Sequence, residues 1–598
     1  MRGHKRRTEA VWAGVGPSTG DGFVGVLANK PSSIAILWPF DELPIMGETG
    51  PVCVSVLVPS MLLDRGGWTH ARTVAGFPIA ACSVLSLFLL FSTTLAAAPP
   101  SIAAIENNYS YIPPGSPNYG IAQGSLFIIF GNDLANSFSS SQGFPLATSL
   151  SGTSLSVRVD GTTTSPALYY VMPGQIAAIL PSATPAGVGV LTVTNNGKTS
   201  QPMPIQVVQT EFGIDTLYGG GFGPAVPQHA NGQILGPTSS ANPGETIVVW
   251  GSGAGPDPNN DETTYPQKQN NLTNLPMEVD IGGISATISY RGRSPYPGVD
   301  QIDVVVPASV PPGCWVSVVV WTETHISNFA TIPVAANGAT CSDQSTGYTG
   351  TELASLLSKP SLNVGTLGIG DAPALVYNPA NVTESFSSYT PAEFVASLFF
   401  PVVYDGLVFE SLNRPQFAVG VTAVSIGSCI VVQEPRTATP AAALDAGVLN
   451  LHSDEPEGTP PADPVQISNG PGGKQVGPFT AQATVPAGFL WQGGSSEWFQ
   501  GITVTWTGAA PDSFVQLYGL SSGSGLYSAF TCSVPASAAT FAVPSVVLQA
   551  MAPDVYFSED GWSNPYFLAV TNYTYPQIFS AQGIDLGTIY GYETIQQP

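Results

Sequence analysis

A segment that occurs twice, 120 residues apart, constrains this chain more than any other feature. The first copy reads Gly124-Ser-Leu-Phe-Ile-Ile-Phe-Gly131 and the second Gly244-Glu-Thr-Ile-Val-Val-Trp-Gly251. The residues downstream of each copy also match, in the same order. Val157-Arg-Val159-Asp-Gly161 corresponds to Val279-Asp-Ile281-Gly-Gly283, Gln175-Ile-Ala-Ala-Ile-Leu-Pro181 to Gln301-Ile-Asp-Val-Val-Val-Pro307, and Pro185-Ala-Gly187 to Pro311-Pro-Gly313. The offset drifts from 120 to 122 and then 126 residues, as insertions in loops between matching strands produce. The unit is therefore a duplicated domain of short strands.

The 65 Gly and 55 Pro residues punctuate short apolar runs and form no low-complexity block, which is the pattern of a turn-rich β protein. Charged residues make up only 9% of the chain, so its surface must be built mainly from Ser, Thr, Asn and Gln. Residues 61–98 read as a secretory signal peptide or signal anchor. Val74 to Ala98 carries no charge, follows Arg65 and Arg72, and ends in Thr94-Leu-Ala-Ala-Ala98. Met61 reads as the natural start, which would make residues 1–60 an upstream extension, expected to be unstructured. Cleavage is expected between Ala96 and Pro99. Left uncleaved, an apolar stretch of about 25 residues is long enough to span a bilayer.

Beyond Ala98 there are 9 basic and 34 acidic residues, a net charge of −25. Such a field repels nucleic acid and anionic lipid, so neither is an expected partner, and membrane contact is expected only through an uncleaved leader. Four cysteines remain after the leader, and three pairings are formally open. We pair Cys314 with Cys341, at either end of a strand pair closing the second repeat, and Cys429 with Cys532, which ties two strands of the C-terminal region. Their long, irregular spacing, with no CxxC, argues against zinc.

Three regions come after the leader. The first repeat, 103–210, shows one-face alternation in Leu155-Ser-Val157-Arg-Val159, and Asn195-Asn-Gly197 is a hairpin turn that tolerates positive φ. Its size suits an immunoglobulin-like sandwich. The second repeat, 225–337, has the same plan, and Tyr218-Gly-Gly-Gly-Phe-Gly-Pro224 before it reads as a hinge. The third region, 345–598, opens with a short helix, Thr351-Glu-Leu-Ala-Ser-Leu-Leu-Ser358, with a capping threonine, and continues in strands such as Ile502-Thr-Val504-Thr-Trp506. The expected fold is mainly β: tandem immunoglobulin-like β-sandwiches followed by a larger β-sandwich-type domain, with very little helix.

The Gly-to-Gly segment, the Gln-Ile strand, the Val-Pro turn and the Pro-Pro-Gly loop together resemble an uncharacterised repeat domain of secreted acidobacterial proteins. That domain is itself similar to IPT/TIG immunoglobulin-like domains. The stretch from Leu444-Asp-Ala-Gly447 to Ile584-Asp-Leu-Gly587 resembles the C-terminal regions that accompany the same repeats. The resemblance implies fold and export, and it brings no catalytic residues.

Gly519-Leu-Ser521-Ser-Gly523 matches the nucleophile-elbow pattern, but Leu526-Tyr-Ser-Ala-Phe-Thr-Cys532 continues as a strand where the elbow needs a helix, so a hairpin turn is expected. Asp257, Asn259 and Asp261 place oxygen ligands at alternate positions. Glu262 and Lys268 break the EF-hand pattern, leaving a loose structural calcium site or a solvated acidic loop. His452, Asp454, Glu455 and Glu457 form a second acidic cluster. Trp491, Trp498, Phe499, Trp562 and Tyr566 give the C-terminal region its densest aromatics. Flat rings of this kind stack on sugars, or pack under loops.

These observations point to an exported, non-enzymatic surface or envelope protein, in which the sandwiches present a C-terminal domain that binds a glycan or an envelope protein. The alternatives are a secreted hydrolase with paired carboxylates in the C-terminal region, and a structural protein that assembles through a sheet edge. No cofactor is implied beyond the calcium.

Overall fold

The computed structural model describes residues 98–257, 269–323, 325–371, 381–399, 423–433, 440–452, 464–493, 501–523, 526–552 and 566–596. The upstream extension and the leader through residue 97 lie outside this set, as does the acidic cluster after His452. Strands dominate, and the described residues hold three short α-helices.

The first sandwich comprises β1 (Ser101–Asn107), β2 (Leu126–Asn132), β3 (Thr153–Val159), β4 (Ala167–Met172), β5 (Gln175–Ile179), β6 (Gly187–Asn195) and β7 (Met203–Val208). One sheet runs β1-β2-β5-β4 and the other β7-β6-β3, with short strands at the edges. Alternation decides which side faces in. Leu155, Val157 and Val159 of β3 are buried and meet Phe127, Ile129 and Ile176 from the opposite sheet in one core, whereas Arg158 is exposed. Asn196 and Gly197 take φ values of 48° and 78° and close the hairpin at the end of β6.

The second sandwich comprises β8 (Thr246–Ser252), β9 (Glu278–Ile281), β10 (Ile284–Arg293), β11 (Asp300–Val305), β12 (Gly313–Thr322) and β13 (Ala330–Val334). Its strand order is β8-β11-β10-β9-β12, with β13 on β12. β10 pairs with β9 through Ile284–Ala286 and with β11 from Thr287 onward, with a register shift between Ile288 and Tyr290. One long strand thus serves both layers, and a bulge lets it turn between them.

The paired glycines of the duplicated segment have a common physical cause. Gly124 and Gly244 take φ of 73° and 87°, turning the chain into the strand through a region that L side chains avoid. At the far end, a Cβ on Gly131 would lie 2.0 Å from the Ser101 carbonyl oxygen, and one on Gly251 would lie 2.1 Å from that of Gly213. In both copies the adjoining backbone lies too close for a side chain.

The C-terminal region is built on β14 (Leu362–Asp371), β15 (Asn381–Tyr389), β16 (Ser428–Gln433), β17 (Val465–Ser468), β18 (Thr480–Ala483), β19 (Leu490–Gly493), β20 (Thr503–Thr507), β21 (Ser513–Gly523), β22 (Leu526–Pro535), β23 (Tyr566–Thr574) and β24 (Leu586–Gln596). The central sheet runs β16-β22-β21-β23-β24-β14-β15 and is antiparallel except for β14 beside β24. Two three-stranded sheets, one containing β17 and β18 and the other β19 and β20, pack in separate hydrophobic cores. The fold is mainly β, with immunoglobulin-like sandwiches in tandem before this larger layered unit.

Both disulfides form as paired from the sequence: Cys314–Cys341 and Cys429–Cys532. Cys429 and Cys532 stand directly opposite each other on β16 and β22. All four cysteines belong to one core that runs from the second sandwich into the C-terminal region, where Trp315 meets Phe399 edge-on with ring centroids 5.6 Å apart.

Three local expectations are corrected. The helix covers Gly350–Leu357 (α1), and its cap is Thr349: Thr349 Oγ1 accepts from the Glu352 N–H, and the Glu352 carboxylate accepts from the Thr349 N–H. This reciprocal box leaves Thr351 inside the first turn. The hairpin expected at Gly519–Gly523 forms slightly later: these residues end β21, Gly523 pairs with Leu526 of β22, and Ser521 Oγ donates to the Ala552 carbonyl at 2.7 Å. The glycine-rich segment before the second sandwich is no free hinge. Phe222 is buried, the Gly221 carbonyl accepts from Asn328 Nδ2 at 3.0 Å, and Gly223 abuts Val395 and Phe399.

Candidate functional site

The C-terminal region carries an open groove of about 950 Å³ between β18 and the short strand Gln577–Phe579. Period-two alternation builds it. Along β18, Ala481 and Ala483 point into the core, so Thr480 and Gln482 point out, followed by exposed Thr484. Small residues keep the floor low, and Phe579 and Ile589 complete its apolar lining. Phe579 is fixed from beneath by stacking on Phe479, with centroids 4.7 Å apart.

Tyr575 stands on the wall of this groove, half-buried, with its ring stacked on the fully buried Phe514 at 5.7 Å. Burial raises its phenol pKa, and the nearby Asp512 carboxylate adds to the rise, so the hydroxyl stays protonated and remains a hydrogen-bond donor. Gln482, Gln577, Thr480 and Thr484 supply amides and hydroxyls around it. Of the described residues lining the groove, only Asp512 carries a carboxyl, whereas glycoside hydrolysis uses two. The arrangement can hold a neutral, hydroxyl-rich ligand against a rigid ring.

Of the aromatics singled out from the sequence, Trp491 and Tyr566 do not line the groove. Trp491 is half-buried, opposite Trp506 across β19 and β20, and packs against the large core. Tyr566 begins β23. Trp498, Phe499 and Trp562 lie outside the described residues. Tyr575 was missed because a search for exposed indoles passes over a tyrosine in a strand-rich run. The available signal was the Thr480-Ala-Gln-Ala-Thr484 alternation of polar and minimal side chains.

Asp257 belongs to the joint between the two sandwiches and is 2% exposed. Its N–H donates to Ser182 Oγ at 3.3 Å, and its Oδ2 accepts from Asn270 Nδ2 at 2.7 Å, so it is no solvated loop residue. Asn259 and Asp261 lie outside the described residues. In the same joint, Arg293 pairs with Asp300 and donates through Nη2 to the Gly255 carbonyl at 2.8 Å. Asp300 Oδ2 accepts from the N–H groups of Gly253 and Ala254, both at 2.7 Å. Glu211 accepts from Asn107 Nδ2 at 2.8 Å and Ser110 Oγ at 3.3 Å. Burial pushes its carboxyl up to about 8 despite these bonds, and it pushes Asp215 up to about 7. Among the described residues, no group of three or more His, Cys, Asp or Glu side chains is placed to hold a metal ion.

The fold defines a tandem β-sandwich protein, and its C-terminal region carries an open groove with a partly polar lining. No family model matches the chain, and no curated protein does. Among solved structures, a Bacteroides thetaiotaomicron structural genomics protein of unknown function is 8% identical, covering 50% of this chain and 58% of its own, with a TM-score of 0.14. SGBP-B from a complex xyloglucan utilization locus in Bacteroides uniformis is 10% identical over 84% of this chain and 100% of its own, with a TM-score of 0.14. The FN1-FN3 domains of chicken CNTN1 are 9% identical over 84% of this chain and 99% of theirs, with a TM-score of 0.12. At these scores the likenesses carry no argument about function.

Proposed function

We propose that this is an exported surface or envelope protein that binds an extended, neutral glycan in the groove beside β18, with the two sandwiches as its stem. The observation that carries the reading is Tyr575, a ring held flat by Phe514 on the wall of an open groove rimmed by amides and hydroxyls. Apolar ring faces stack on sugars, while amides and hydroxyls bond their hydroxyl groups. An open groove suits a polymer that extends beyond the site at both ends. Two disulfides support an oxidising compartment outside the cytoplasm, and the leader-like residues 61–98 agree with export. No helix among the described residues is long and apolar enough to cross a membrane. Kinship of the sandwiches to the acidobacterial IPT/TIG-like repeat is part of the same proposal.

Affinity electrophoresis and calorimetry of the full chain against a panel of neutral plant, fungal and bacterial polysaccharides test it. At least one glycan is expected to bind. Tyr575→Ala should weaken that binding roughly two- to tenfold, the weight of about 0.5–1.5 kcal/mol of ring stacking. Failure of the whole panel, or binding unaffected by both Tyr575→Ala and Gln482→Ala, would sink the reading.

A further inference from the structure

Three side chains of the second sandwich meet in an arrangement that the groove does not use. His229 Nδ1 lies 2.5 Å from Glu245 Oε1, and His229 Nε2 lies 3.1 Å from Ser239 Oγ. In the tautomer these partners fit, Nδ1–H donates to the carboxylate and Nε2 accepts the Ser239 hydroxyl proton. Gln233 Nε2 also donates to Ser239 Oγ, at 3.1 Å.

Each group is held by local backbone. His229 pairs with Ile247 of β8, and its N–H donates to the Gln233 carbonyl across a tight turn that needs Gly232 at φ 84°. Ser239 is fixed by reciprocal backbone bonds with Gly236 at 2.9 and 3.0 Å. Glu245 uses its second oxygen to accept from the Asn242 N–H at 3.0 Å, so its carboxylate cannot swing away from the imidazole. Glu245 is also the second residue of the duplicated segment, where the first copy has Ser125. In the first repeat Asn107 stands opposite Phe127 as His229 stands opposite Ile247, and at the 120-residue offset Tyr119 stands where Ser239 does. The constellation is thus a property of one repeat, and the shared sandwich framework forms without it.

We propose that Ser239, His229 and Glu245 form an acyl-transfer site that hydrolyses short-chain esters. Ser239 Oγ attacks the ester carbonyl while its proton passes to His229 Nε2. The carbon–oxygen bond to the leaving alcohol then breaks, and that oxygen takes the proton from His229. Water next loses a proton to His229 and attacks the acyl-serine, releasing the carboxylic acid and returning the proton to Ser239. Glu245 acts as a positioning residue through the ring. Gln233 Nε2, which already reaches Ser239 Oγ, would offer its second hydrogen to the oxyanion. The His229 and Glu245 side chains are 14% and 23% exposed, so a substrate reaches the site from solvent without an acyl tunnel. So limited an opening points to a short acyl group, such as acetyl on a larger alcohol. The proposal is independent of glycan binding.

The test is labelling of the full chain with a fluorophosphonate probe, read by peptide mass spectrometry, together with hydrolysis of p-nitrophenyl acetate. Ser239 should carry the label, and Ser239→Ala should abolish both signals while leaving the melting temperature and glycan binding in place. His229→Gln and Glu245→Gln should each lower kcat/KM by roughly 10³–10⁴-fold. The Glu245→Gln loss should fall on kcat with KM unchanged, which a merely structural carboxylate would not show. An unlabelled Ser239, or labelling and turnover unchanged in His229→Gln, overturns the proposal.

Discussion

Arg293 of the second sandwich lies directly against Gly124 of the first: a Cβ at Gly124 would stand 2.1 Å from Arg293 Nη2. The guanidinium cannot retreat, because Asp300 and the Gly255 carbonyl hold it from the other side. Gly124→Ala therefore meets two penalties, a backbone at φ 73° and displacement of a buried ion pair. Gly244, its counterpart at φ 87°, has nothing within 4 Å. Urea denaturation should show Gly244→Ala losing about 1 kcal/mol and Gly124→Ala roughly 3 kcal/mol or more. Equal losses would remove Arg293 from the explanation.

The Arg293–Asp300 pair is itself almost completely excluded from water, with side chains 1% and 0% exposed. Asp300→Ala strands the guanidinium and should destabilise the protein by about 3–5 kcal/mol. Arg293→Met combined with Asp300→Leu removes both charges and should recover only part of that loss. The N–H groups of Gly253 and Ala254 would still lack their acceptor. Denaturation midpoints of the three proteins decide this.

The sandwiches were legible because their strands alternate, as in Leu155-Ser-Val157-Arg-Val159, and because glycine at both ends of a duplicated strand reports backbone that tolerates no Cβ. The helix cap was readable too. Thr349-Gly-Thr-Glu352 spells the capping box, and choosing Thr351 overlooked the required spacing of three. The groove was not legible. Its walls come from Gln482 and Tyr575, which are ordinary residues 93 positions apart and meet only after the central sheet has formed. The same holds for His229, Ser239 and Glu245, whose spacing matches no motif. Only the pairing of His229 with Ile247 brings the imidazole beside Glu245.

Stability should fall as pH rises through the neutral range. Glu211 and Asp215 have carboxyls raised by burial to about 8 and about 7, from ordinary values of 4.5 and 3.8. The folded chain therefore holds protons that the unfolded chain has released. Their contribution is full below about pH 4, declines between about pH 4 and 8, and is absent above that. Glu211→Gln keeps the hydrogen bond to Asn107 without the titration. It should flatten the decline between pH 5 and 8 in melting temperatures measured across pH, and an unchanged slope would assign the decline to other groups.

The shared core sets the last expectation, because residues 345–598 do not close their hydrophobic interior alone. Trp315 is 2% exposed, meets Phe399 edge-on and shares one core with Ile430 and Val431, so a break between the second sandwich and the C-terminal region uncovers both sides. Trp315→Ala should cost about 3–5 kcal/mol, the range for deleting a large buried ring. Calorimetry of the full chain should show the second sandwich and the C-terminal region melting in one transition. The isolated fragment 345–598 should melt well below it and bind apolar dyes. If that fragment instead melts at the temperature of the full chain, Trp315 caps a core that is already complete, and the coupling argued from its packing is wrong.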